Sequence, residues 1–286
     1  MRFRDAGVSL EPRPIGACID LALVLSGRRL GACLLIWATW SLPAMGAVWI
    51  AARSSEYGWF AAWVAVGLAS APMGLCLVAY ASAVAFAEPG DIKRQTLRSL
   101  GAAWPVLLAR IALRIVQWPL LLIGLLPGLM LMVSTSFLAE SRVLKRFRQR
   151  RHDHKMREVV RLEYSDLVSR AALLGAFGLV LWFVLAITVD AASMLLFEFP
   201  LILGRIADAT RNPWGGFDPD TFFVGLFDAL FHDPVILTTL TGTALAAYGL
   251  CRLAWFLSYV DLRIRRDCWD LEVALADETQ RWEAVT

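Results

Sequence analysis

Six apolar runs follow one another along this chain, and the segments joining them alternate sharply in positive charge. The runs lie at roughly 31–52, 59–87, 104–126, 127–141, 167–190 and 235–257. A membrane-crossing helix needs about 20 mostly apolar residues, so most of these runs are long enough to span a bilayer. The alternating, polar-inside pattern of a membrane barrel is absent, and a backbone in lipid must satisfy its own hydrogen bonds, so the runs read as helices. With 58% hydrophobic residues the chain exceeds the roughly 45–50% of soluble domains.

The charges then predict a sidedness. Of the 28 Lys and Arg residues, 23 fall in the N-terminal segment, in 88–102, in 142–170 and in the tail from Arg252. The alternate connections hold only Arg53, Arg205 and Arg211, and Arg110 and Arg114 sit inside the third run. The positive-inside rule puts both termini in the cytoplasm. The expected fold is therefore all-α: a polytopic helical membrane protein with about six membrane helices and amphipathic cytoplasmic helices. The third and fourth runs form either two crossings or a short re-entrant hairpin that turns at Pro127-Gly128.

The expected organisation has three parts. Residues 1–30 are a cytoplasmic amphipathic segment, rich in arginine and with no apolar run before Gly31, so no cleavable signal peptide is expected. Residues 31–257 are the membrane domain, with a basic cytoplasmic loop at 142–166 and an outer loop at 191–234. In that outer loop SMLLFEFPLILGRI reads as an interfacial or re-entrant helix, and NPWGGFDPD as turn chemistry. Residues 258–286 continue the last span as a cytoplasmic helix, in which Asp261 and Arg265, Arg263 and Asp267, and Arg266 and Asp270 are spaced i,i+4. Only three of the basic residues are lysine, which points to a GC-rich bacterial genome and so to a bacterial cytoplasmic (inner) membrane.

Three segments, IGACIDLALVLSGRRLGA, DIKRQTLRSLGAAWP and MREVVRLEYSDLVSRAALLG, each place an amphipathic, basic stretch before an odd-numbered run, a weak internal repeat. Four segments taken in order, RPIGACIDLALVLSGRRLGACLLIWATWSLP, LLPGLMLMVSTSFLAES, YSDLVSRAALLGAFGLV and YVDLRIRRDCWDLE, resemble the glycerophosphoryl diester phosphodiesterase membrane-domain family and its uncharacterised relatives. The resemblance implies a six-helix membrane fold. It does not imply the phosphodiesterase activity: fewer than thirty residues follow YVDLRIRR, whereas a catalytic barrel needs about 250.

Candidate chemistry is sparse. His152 and His154 flank Asp153, but they stand among arginines and lysines, and the remaining histidine, His232, falls on the opposite side; the string reads as a solvated basic loop. The five cysteines show no paired spacing and read as packing residues. Serines 134, 136, 141 and 165 sit in no nucleophile motif, and no phosphate-binding loop is present, so no catalytic, cofactor or metal site is assigned. Small residues at Gly67 and Ala71, and at Ser70 and Gly74, have the spacing of close helix packing. Tryptophans at 37, 40, 49, 59, 63, 104, 118, 182 and 255 read as interface anchors.

The ionisable residues inside the runs point to a polar site. Arg110 and Arg114 share a helical face, and a charge deep in a bilayer costs about 2.5–3.5 kcal/mol unless it is paired or snorkels. In a hairpin turning at Pro127, Arg114 lies level with Glu140, so Arg110, Arg114 and Glu140 form a candidate intramembrane polar site. A second candidate is a lipid- or partner-binding surface made of Arg146, Arg148, Arg150, Arg151, Asp261, Arg263, Arg265 and Arg266. The functional expectation is a non-enzymatic inner-membrane scaffold or accessory subunit that binds anionic lipid headgroups or a partner protein in a membrane complex, and no nucleic acid. The alternatives are a lipid or small-solute transport component and, third, an intramembrane hydrolase.

Overall fold

A computed structural model describes residues 14–86, 92–123, 164–211 and 219–267, apart from the side chains at 86, 95, 99, 102–106, 110, 115, 118–123 and 263–267. The described residues form eight helices: α1 (Ile15–Arg28), α2 (Leu30–Ser54), α3 (Gly58–Phe86), α4 (Ile92–Ile123), α5 (Tyr164–Phe197), α6 (Leu203–Ala209), α7 (Pro219–His232) and α8 (Pro234–Asp267). Among them there is no strand. Four helices are long and apolar enough to cross a membrane, over Leu30–Ser54, Gly58–Ala85, Tyr164–Phe197 and Pro234–Leu262. These coincide with the first, second, fifth and sixth apolar runs. The third run lies in α4, which already begins at Ile92, so the basic approach and the run form one helix as far as Ile123. The fourth run and the expected turn at Pro127-Gly128 lie outside the described residues.

These helices keep their polar groups to themselves. On exposed faces the Thr39 and Thr188 hydroxyls donate to the carbonyls of Leu35 and Val184, each at 2.7 Å. Such back-bonding leaves an exposed helix face without an unsatisfied hydroxyl. That surface is strongly apolar: Leu35, Ile50, Val180, Ile187 and Leu195 are all exposed.

Two stretches depart from the expected outline. Helix α5 continues to Phe197, seven residues past the boundary expected at 190. At about 1.5 Å per residue its 34 residues are about 51 Å long, against about 30 Å of hydrocarbon. Glu198 closes it in the left-handed region (φ 58), its amide bonding the Met194 carbonyl, and Pro200 prevents continuation. The segment 191–234 is thus not a single helix followed by a loop, because its described part is mostly helical, through the end of α5, α6 and α7. Proline at the start of α7, with Asp220 in its first turn, begins a new helix at the end of the NPWGGFDPD stretch that the sequence marks as turn chemistry.

The chain forms two compact units. One comprises 1–33, 71–175 and 250–286, the other 34–70 and 176–249. In the first, the small-residue half of α3 is almost wholly enclosed, with Ala71, Met73, Val78, Ala79 and Ala83 at 1% exposure or less. On α8 every residue from Arg252 to Leu262 is buried, so this part of the helix is surrounded on all sides. In the second unit, α2 and α5 are tied to α8 by indoles: Trp37 Nε1 donates to the Gly242 carbonyl at 3.2 Å, and Trp182 Nε1 to the Leu240 carbonyl at 3.1 Å. Those two tryptophans, together with Trp255 buried in the first unit, are packing residues rather than the interface anchors the sequence implied. Gly67, Ser70, Ala71 and Gly74 are all buried within the chain, which accounts for their spacing without a second copy.

Candidate functional site

The densest described charge cluster lies in the first unit, where the beginning of α5 meets the end of α8. Helix α5 opens as YSDLVSR, which sets Asp166 and Arg170 one turn apart on the same face. Arg170 Nε donates to Asp166 Oδ2 at 2.8 Å, while its Nη1 donates to Ser258 Oγ at 3.0 Å and to Asp261 Oδ2 at 3.1 Å. The side chains of Arg170 and Asp261 are 7% and 3% exposed, whereas that of Asp166 is 48% exposed. A guanidinium drawn into a protein interior loses its hydration, and two carboxylates with a hydroxyl replace it. The network runs from a half-exposed carboxylate to one fully enclosed, with the Arg170 guanidinium between them.

This cluster joins two helices. Leu167 and Tyr259, close to these residues in sequence, are both fully buried, and the Cys251 thiol lies 3.7 Å from the Leu174 carbonyl one to two turns further along. Asp261 had been expected on an exposed basic surface, supported by Arg265. Instead it faces the protein interior and accepts from Arg170. An exposed i,i+4 pair on one helix is worth only a few tenths of a kcal/mol, so a desolvated partner from another helix is the stronger attraction.

The other expected site residues fall as follows. Arg114 is half-buried on α4 and engaged in an interaction of its own. Arg110 lies on the same helix, with its side chain outside the described residues, as are Glu140, Arg146, Arg148, Arg150 and Arg151, so the pairing of Arg114 with Glu140 and the basic loop lie outside the description. Helix α8 carries the backbone through Arg263, Arg265 and Arg266 to Asp267, as the continuing tail helix requires. Among the described residues no group of three or more His, Cys, Asp or Glu side chains could hold a metal ion.

A second polar arrangement, in the other unit, organises the turn after α5. Asp190, 4% exposed, accepts from the amides of Ile202 (2.6 Å) and Leu203 (3.4 Å), and Ser193 Oγ accepts from the Leu201 amide at 3.1 Å. Ile202, at the N-cap of α6, has no capping side chain, so Asp190 serves from α5 instead. Asp233 plays the same part locally for α8. Its Oδ1 accepts from the amides of Val235 and Ile236 at 2.8 and 3.0 Å, and its Oδ2 from Arg205 Nη1 at 2.9 Å.

No family model, curated protein or solved structure matches this chain. The resemblance drawn from the quoted segments accordingly adds nothing to the site, which stands on its own geometry: a buried arginine used to hold two helices together.

Proposed function

We propose that the protein is a non-enzymatic scaffold or accessory subunit of a bacterial cytoplasmic membrane, with about six membrane segments and both termini in the cytoplasm. Its basic cytoplasmic face, formed by Arg146, Arg148, Arg150, Arg151, Arg263, Arg265 and Arg266, engages anionic lipid headgroups or a partner protein. One observation carries the reading, namely the way helix ends coincide with charge. The ends of α2, α3 and α8 around Ala52, Gly58 and Leu237 adjoin one another, and this end of the second unit is poor in basic residues. The start of α5 and the end of α8 meet at Arg170 and Asp261, and the flanking sequence there is rich in arginine. Charge so partitioned favours retention on the cytoplasmic side. Arg170 and Arg252 are themselves buried and contribute nothing to a lipid-facing charge.

The test is purification in mild detergent, with mass spectrometry of retained proteins and lipids, for the wild type and for a variant with Arg146, Arg148, Arg150 and Arg151 replaced by glutamine. A protein in fixed stoichiometry, or anionic lipid, held by the wild type and released by the variant at low salt supports the reading. Retention unchanged by the substitutions, or solute flux through the purified protein in vesicles, overturns it.

A further inference from the structure

Helix α7 is amphipathic with its sides reversed. The residues turned into the protein are small: Gly225 and Ala229 are buried, and a Cβ at Gly225 would overlap the carbonyl oxygen of Ala209, so α7 lies directly on α6. The residues turned outward include Phe223, Val224 and Phe227, at 55%, 70% and 58% exposure, and Phe231 at 38%. They recur at the three- and four-residue spacing of one helical face. A contiguous aromatic stripe of this kind is unfavourable in water and favourable in hydrocarbon.

Its place in the fold identifies what covers it. Phe231 meets Trp59, the second residue of α3, edge-on with ring centroids 6.2 Å apart, and stacks on Phe227 at 5.9 Å. Together with Phe223 and Val224 these rings line an open cleft of about 450 Å³, and Asp228 and His232, 3.2 Å apart, stand at its edge. Helix α7 ends at His232, one residue from the Asp233 cap of α8. A Cβ at Gly58 would touch Ala52 and Leu237, so the termini of α2, α3 and α8, three of the helices long enough to span, converge beside α7. Where spanning helices end, the bilayer passes from hydrocarbon to headgroup, the depth at which aromatic side chains with a polar edge reside.

We propose that α7 is an interfacial helix, lying in the bilayer surface on the side opposite the basic loop, with its cleft occupied by the acyl chains of membrane lipid. Phe223, Val224, Phe227 and Phe231 enter the upper hydrocarbon, while Asp228 and His232 remain at headgroup level. The inference rests on the membrane reading of the long helices, and its test separates the two.

Nitroxide labels are placed singly at Val224→Cys, Asp228→Cys and Val180→Cys, after replacement of the native cysteines, in full-length protein reconstituted into phosphatidylethanolamine–phosphatidylglycerol vesicles. Collision with oxygen, which concentrates in hydrocarbon, is compared with collision with a water-soluble nickel chelate. Val180, exposed in the middle part of α5, reports whether that helix is in lipid at all. The expected result is an oxygen-to-nickel ratio at Val224 several-fold above that at Asp228 and below that at Val180, unchanged on dilution with excess lipid. A ratio at Val224 matching Asp228, with Val180 immersed, overturns the interfacial helix alone. Nickel access at Val180 overturns the membrane reading. Protection at Val224 that disappears on lipid dilution assigns the face to a second copy of the chain and overturns lipid as its occupant.

Discussion

Arg170 on α5 donates to the carboxylate of Asp261 on α8 at 3.1 Å, across ninety-one residues of chain, with both side chains almost inaccessible. A pair so enclosed is asymmetric in its energetics. Its attraction roughly offsets the desolvation of both ions, but removing one partner strands the other. Asp261→Asn and Arg170→Met are each expected to lower stability by about 3–5 kcal/mol, whereas Arg170→Met combined with Asp261→Leu should recover much of the loss. Asp166→Asn, at a half-exposed carboxylate, should cost less than about 1 kcal/mol. Thermal unfolding in detergent for these four variants and for Asp261→Leu alone measures the coupling; additive losses in the double variant would show that the two residues act independently.

Asp190 replaces the missing cap of α6 from a position twelve residues before Ile202. Asp190→Ala leaves the amides of Ile202 and Leu203 without their acceptor in a buried turn, for an expected loss of about 1–3 kcal/mol. Asp190→Asn keeps one acceptor oxygen and should lose less. Protease cleavage within 198–204 is the local readout: it should accelerate in the alanine variant. Cleavage at the wild-type rate would mean that the turn is held by other contacts.

The same reasoning separates two roles of Asp233. As N-cap of α8, followed by proline at the first helical position, its replacement by alanine should cost about 1–2 kcal/mol. As partner of Arg205, whose side chain is 39% exposed, it contributes less, and Arg205→Ala should cost under about 1 kcal/mol. Equal losses in the two variants, measured by thermal unfolding, would make the ion pair rather than the cap the main contribution.

What the sequence discloses, and what it hides, follows from how local each feature is. Apolar length is a local property, so the four long helices begin and end within a few residues of the runs, except where α5 overshoots to Phe197 and α8 runs on to Asp267. The Asp233-Pro234 start of α8 is legible for the same reason. The Arg170–Asp261 contact depends on tertiary packing, and charge counting assigned Arg170 to a basic loop. One faint signal was present: YSDLVSR at 164–170 and YVDLRIR at 259–265 share Tyr, Asp, Leu and Arg at identical spacing, and Leu167 and Leu262 are both buried, at 0% and 3%. The aromatic stripe of α7 was equally present, at Phe223, Phe227 and Phe231, but its surrounding aspartates and the adjacent NPWGGFDPD favoured a loop. The packing roles of Trp37 and Trp182 are not legible either, because an apolar run does not reveal which way an indole faces.

Glu198 offers a gain rather than a loss. Its φ of 58 places a side chain where Cβ crowds the following carbonyl, and glycine removes that conflict. Against this stands the greater freedom glycine has when unfolded. Since the left-handed penalty is about 1–2 kcal/mol and the added entropy about 0.5–1, Glu198→Gly should stabilise by up to about 1 kcal/mol, and Glu198→Val should destabilise. A lower melting temperature for the glycine variant would show that the Glu198 side chain makes a contact worth more than its strain.

The threading itself is testable through its two best-separated points. The tail beyond α8 follows Arg263, Arg265 and Arg266, whereas the stretch between α6 and α7 and its flanks hold only Arg205 and Arg211, beside Asp208, Asp218 and Asp220. Positive charges near span ends resist translocation, while aspartates hardly affect it, so the proposed sidedness rests on the arginine imbalance. Helix α8 is the one described helix between these points that is long and apolar enough to cross a membrane, because α7 is only 14 residues long, too short to cross about 30 Å of hydrocarbon. A reporter fused after Thr286 is therefore expected in the cytoplasm, and one inserted at Gly215 on the opposite side. Replacing Arg263, Arg265 and Arg266 by glutamine should weaken retention of the tail without moving the Gly215 reporter, which the basic segments before α5 also hold in place. Activity of both wild-type fusions on the same side of the membrane would exclude α8 as a spanning helix, and with it the assignment of the basic face to the cytoplasm.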